Sequence, residues 1–106
     1  MADVATDKLF ENEKLIVWEL LLEPRKNVGV HTHLNDHFVH VLEGLTITAT
    51  DSDGESLVEF PFETGSSSWV SIDGDAAVLE GKRFPATHDA KNTGGSRYRE
   101  ILVEVK

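Results

Sequence analysis

Turn-forming residues recur at close intervals along this chain, and that spacing favours many short strands over a few long helices. Leu34-Asn35-Asp36, Asp51-Ser52-Asp53-Gly54, Asp73-Gly74-Asp75 and Asn92-Thr93-Gly94-Gly95 all carry the chemistry of tight turns. Between them lie runs rich in β-branched and aromatic residues: LIVWELLL, VGVHTH, HFVHVLEG, LTITAT, SLVEFPFE, WVSI, AAVLEGKRF and YREILVEVK. Asp53-Gly54 tolerates the positive φ of a two-residue hairpin, and Pro61 marks the returning strand as an edge or irregular one. DKLFENEKLIVWELL has partial helical spacing, but its β-branched and aromatic content favours strand. The expected architecture is an antiparallel sandwich or barrel.

The 106 residues suit one domain, and 40% hydrophobic content can fill a core. Ten basic residues against nineteen acidic ones give a net charge of -9, with no clustered basic face for phosphate, so nucleic acid and anionic membrane are not expected partners. The absence of cysteine excludes thiolate metal sites, disulfides and thiol nucleophiles. The acidic, polar N-terminus does not read as a signal peptide, and LIVWELLL is too short to span a bilayer, so a soluble cytoplasmic protein is expected.

Four of the five histidines fall within ten positions: His31, His33, His37 and His40. Residues two apart on a strand share a face at a separation of roughly 6.5 to 7 Å, so His31 and His33 can converge on one ion. A turn at Asn35-Asp36 would bring His37 back beside them. His40 has the opposite parity to His37 and is expected to point out of the barrel. His88 stands alone in PATHDAKNTGG, where spacing by itself does not bring it to the others. Neutral imidazoles bind divalent metals, so affinity is expected to fall below about pH 6.5.

Other chemistries have weaker support. Ser66-Ser67-Ser68 lacks a nucleophile elbow, and no glycine-rich phosphate loop is present. Glu19 is a candidate pocket acid, although alternation favours an outward position. Trp18, Phe38, Trp69 and Phe84 are candidates for the barrel interior. Arg25 and Arg83 could pair with a substrate carboxylate but more readily read as surface charge. No general base is identifiable.

The residues resemble two sequence motifs of the cupins. His31-x-His33-x3-His37-x6-Gly44 is similar to the first, Gly-x5-His-x-His-x3,4-Glu-x6-Gly, with histidine where the family usually has glutamate and with the leading glycine displaced to Gly29. His88-x3-Asn92 matches the end of the second motif, although Pro85 lies closer to the histidine than usual. In detail the chain resembles small single-domain bacterial cupins of the RmlC-like superfamily, including those associated with β-alanine degradation. Val17-Trp18-Glu19 and the Val103 to Lys106 ending carry that finer likeness.

The resemblance implies an all-β, single-domain double-stranded β-helix (jelly-roll) barrel over residues 14–106, preceded by an N-terminal arm, residues 1–13. It implies that His31, His33, His37 and His88 hold one divalent transition metal ion per chain, whether Fe, Zn, Ni, Cu or Mn. It also implies a homodimer and a small-molecule substrate. A dioxygenase-like enzyme acting on a small organic acid or dicarbonyl compound is the leading expectation. A non-catalytic ligand-binding or structural metal protein, and a metal-free isomerase or epimerase, remain open.

Overall fold

The computed structural model describes residues 1–106 and is all β. Its strands in chain order are β1 (Asp7–Glu11), β2 (Leu15–Leu22), β3 (His31–Thr32), β4 (His37–Glu43), β5 (Ile47–Thr50), β6 (Ser56–Phe60), β7 (Ser67–Asp73), β8 (Ala76–Leu79), β9 (Lys82–Pro85), β10 (Thr87–Asn92) and β11 (Tyr98–Val105). They form a seven-stranded sheet, ordered β1-β2-β11-β4-β7-β8-β9, and a four-stranded sheet, ordered β3-β10-β5-β6. Every pairing is antiparallel.

The turn chemistry acts as the sequence suggests at the Asp51-Gly54 hairpin, where Gly54 takes φ 84° between β5 and β6. Pro61 directly follows β6, which lies at an edge of the smaller sheet. Four segments differ from expectation. The segment read as an arm contains β1, which pairs with β2 and extends the larger sheet. AAVLEGKRF is two strands, because Glu80 and Gly81 both take positive φ (50° and 80°) and turn the chain between β8 and β9. VGVHTH shortens to the two residues of β3. Gly29, at φ 110°, interrupts the ladder, leaving only an isolated bridge from Asn27 to Lys91 upstream. Finally, Thr87–Asn92, unassigned in sequence, is the strand that joins β3 to β5.

Side chains alternate across the larger sheet. Trp18, Leu20, Leu22, Val39, Val41 and Leu102 point inward and form one buried cluster with Tyr98, while Ala49, Phe60, Val70, Ala77, Leu79 and Phe84 form a second. Trp18 and Phe84 are therefore interior, as proposed. Phe38 and Trp69 are not: they pair with each other on the outer face and are 37% and 48% exposed. Strand β11 alternates against its hydrophobic pattern. Tyr98, Glu100, Leu102 and Glu104 are buried, whereas Arg99, Ile101 and Val103 lie on the outer side and are only partly covered.

Gly44 ends β4 where a side chain has no room. A Cβ there would stand 2.5 Å from the Tyr98 ring and 2.8 Å from the Phe62 carbonyl oxygen. Its missing side chain lets Tyr98 lie fully buried at the start of β11.

Candidate metal centre and barrel cavity

The register of β3 against β10 sets His31 directly opposite His88, and the Thr32 and Thr87 hydroxyls bond each other at 2.8 Å on the other face. His33 follows, its backbone N–H donating to the Ala86 carbonyl. His37 enters from the other sheet, at the first position of β4. The isolated histidine of the sequence is thus brought to the cluster by strand pairing. All four are buried, each 6% exposed or less.

His33 is at the centre of the group. Its ring centroid lies 4.7 Å from His31, 4.4 Å from His37 and 5.0 Å from His88. Ligand nitrogens of His31, His33 and His88 all lie within 4.8 Å of one another, so this triad could hold a metal ion. His37 is not part of that close set; its ring stacks on His33 with the planes 19° apart. His40 points away, its Nδ1 2.8 Å from the Ser67 hydroxyl on the outer face.

Main-chain carbonyls fix three of the four tautomers. Nδ1 of His31 donates to Gly29 at 2.7 Å, Nδ1 of His88 to Pro85 at 2.6 Å, and Nδ1 of His37 to Asn35 at 3.1 Å. A carbonyl only accepts, so each Nδ1 carries the proton and each Nε2 keeps its lone pair. This anchoring of the outer nitrogen is typical of metal-ligating imidazoles. Asp89 supports it, accepting from the Gly29 amide at 2.8 Å and from Asn27.

One further observation fits a cation. The Nε2 atoms of His31 and His33 stand 3.0 Å apart, so a proton or a cation must lie between two such basic atoms. That separation matches two adjacent nitrogens each about 2.1 Å from one ion, at roughly a right angle. Nδ1 of His33 has no hydrogen-bond partner, so this ring alone lacks the carbonyl anchor of the other three.

Burial keeps these imidazoles neutral. It lowers the pKa of His31 and His37, against the opposing pull of their carbonyl partners and of nearby Asp89 and Glu104. His33 is pushed well below its ordinary value by burial first and then by its histidine neighbours. His88 falls to about 4, again mainly by burial. Proton competition for the site therefore sets in below the pH of about 6.5 expected of free imidazole.

The histidines line one part of a mostly apolar cavity of about 60 Å³ between the sheets, with Leu20, Val39, Phe84 and Leu102 among its walls. The same cavity reaches Glu100, a residue that sequence reasoning missed when it found no general base. Glu100 is 4% exposed, and its Oε1 accepts from the Tyr98 hydroxyl at 2.6 Å. Burial raises its pKa to about 7, although the Tyr98 hydrogen bond pulls the other way. Tyr98 is also pushed up, first by burial and then by the Glu100 charge.

The other candidates lie outside the cavity. Glu19 faces outward and pairs with Arg99, Arg83 pairs with Asp73 on the surface, and Arg25 is exposed.

No protein-family profile matches the sequence, and no curated protein does. Solved structures do. A cupin-domain protein from Bordetella pertussis Tohama I is 20% identical at TM-score 0.68, over 94% of this chain and 90% of that one. An RmlC-like protein with a double-stranded β-helix from Methanocaldococcus jannaschii is 13% identical at TM-score 0.60, over 99% and 85%. The fold is that of the cupins. A cupin-superfamily sugar phosphate isomerase from Silicibacter pomeroyi is also similar, 21% identical at TM-score 0.57, over 89% of this chain and 52% of its own. In this fold the histidine triad lies inside the barrel, between the two sheets. No helix is long and apolar enough to cross a membrane.

Proposed function

We propose that this cupin is a metal-dependent enzyme, dioxygenase-like in its chemistry, acting on a small organic acid or dicarbonyl compound. The observation that carries this reading is the set of buried, carbonyl-anchored histidines around His33, opening onto a mostly apolar cavity. His31, His33 and His88 are the ligands, and His37 completes the set, since its Nδ1 is anchored in the same way. An all-imidazole site adds no negative charge, so a bound divalent ion keeps its attraction for a carboxylate or enolate. Such an ion supplies Lewis acidity and, if redox-active, a route to dioxygen chemistry. The protein's share is to surround the ligand with the apolar side chains of Phe84, Leu102 and Val39, and to limit it to a small molecule.

A metal-free acid–base isomerase is the second reading, favoured by the likeness to the sugar phosphate isomerase and by the presence of a buried carboxyl in the cavity. Elemental analysis of protein purified without a histidine tag separates the two. Near one equivalent of transition metal per chain, with dioxygen uptake on addition of dicarbonyl compounds, is the expected result. No metal, and none taken up on titration, would remove the first reading.

The same proposal includes a homodimer. Phe10, Val17, Val103, Phe38 and Trp69 form a cross-strand row over five strands of the outer face. Three of them, Phe10, Phe38 and Trp69, are exposed. Burial of this row against a second copy would remove its apolar surface from water. Light scattering should give a dimeric mass that Phe38→Glu converts to monomer; a monomeric wild type would contradict it.

A further inference from the structure

The cavity has polar groups at two levels, and only one of them is metal-ligating. In the register of β11 on β4, Glu104 pairs with His37 and Glu100 with Val41. Glu100 thus stands four residues further along the strand than the histidine level, about 13 Å by strand rise. Between the two levels the lining is apolar, with Leu102 opposite Val39. One Glu100 oxygen is occupied by Tyr98, and no side chain or main-chain group donates to the other. A buried carboxyl with an unused oxygen on a cavity is a recognition group awaiting a partner.

We infer that Tyr98 and Glu100 form a second binding pole of the cavity, which takes the uncharged hydroxyl or carbonyl end of a short ligand whose anionic end lies at the histidines. This deepens the proposed function and rests on it for the anionic end. The substrate class is then a short acid or enolate with a neutral polar tail, joined by a few methylene-like carbons that pack on Leu102 and Val39. A dicarboxylate is disfavoured, because its second charge would meet a buried carboxyl with no cation nearby. Below about pH 7 the Glu100 carboxyl holds a proton and can donate to the tail as well as accept from it. Tyr98 keeps the carboxyl in place, and Gly44 makes room for Tyr98.

The test is calorimetric titration of the intact protein, with and without one equivalent of Ni(II), at pH 6.5. The probes are ω-hydroxy acids of three to six carbons, the matching unsubstituted acids, and dicarboxylates. One chain length of hydroxy acid should bind about tenfold tighter than its unsubstituted counterpart, the worth of one well-placed hydrogen bond. The corresponding dicarboxylate should bind more weakly than both. Glu100→Gln, which keeps a neutral polar end, should preserve the gain. The double variant Tyr98→Phe with Glu100→Leu should erase it, so that each hydroxy acid binds no tighter than its unsubstituted counterpart. Replacing both partners avoids an unpaired buried hydroxyl, and circular dichroism checks that the barrel folds. No hydroxyl gain at any length, a gain that survives the double variant, or no binding of any probe overturns the inference. Acid binding that is indifferent to Ni(II) counts instead against the metal reading, and the hydroxyl increment remains legible in that case.

Discussion

His33→Ala should reduce metal affinity more than about 100-fold, since loss of a mere outer-sphere partner of a metal ligand costs 10- to 100-fold. Its ring touches all three other imidazoles of the cluster, and its Nε2 shares the 3.0 Å approach with His31. No other residue has that position. The substitution should cost little in folding, because the side chain's one hydrogen bond is to His31 and its Nδ1 has no partner to lose. His40→Ala is the control: that side chain lies on the outer face with Ser67 and should leave metal content unchanged. Elemental analysis beside a chelator-competition titration measures both. Equal loss in the two variants would place the metal elsewhere.

The second large effect is acid instability of the metal-free protein. A histidine whose pKa is lowered on folding contributes stability that is full above its unfolded value of about 6.5 and is lost as pH falls through the folded one. His31, His33, His37 and His88 are all shifted in that direction by burial. For His88, held at about 4, the loss on complete protonation is about 3 kcal/mol, at 1.36 kcal/mol per unit. Glu100 acts oppositely. Raised from 4.5 to about 7, it favours the folded state at low pH, and that contribution is lost as pH rises through 7. With four groups against one, urea midpoints of the metal-free protein should fall steeply from pH 6.5 to 4. A flat profile over that range would mean that the imidazoles are not held neutral by burial.

Much of this was legible in the sequence because a strand's side-chain period is two. Turn residues marked the hairpin at Asp51-Gly54, and parity alone separated inward His37 from outward His40. His88 was legible only through its motif, because its place beside His31 depends on a long-range register that no local pattern encodes. Phe38 and Trp69 misled for the opposite reason: apolar residues pointed inward by default, yet their parity follows His40 and Ser67 to the outer face. Glu100 was hidden by the same assumption. In YREILVEV the β-branched residues Ile101 and Val103 alternate with acids, so the pattern suggests that the acids are solvated. The strand is inserted the other way round, because Tyr98 and Leu102 share the acids' parity and belong to the core. The turn at Glu80-Gly81 escaped notice because Glu is an unusual first residue for a turn with two positive φ angles.

The join between β3 and β10 consists of only two paired residues, and the candidate ligands sit on it. A seam that short is where a native barrel breathes, opening at a fraction of the global unfolding free energy. In the metal-free state the amides of Thr32 and His33 should therefore be among the quickest of the buried backbone to trade hydrogen with solvent. An ion gripping His31 and His88 across the seam acts as a clasp, since parting the strands then requires the ion to be surrendered first. Loading would thus also set how often the barrel opens along that seam.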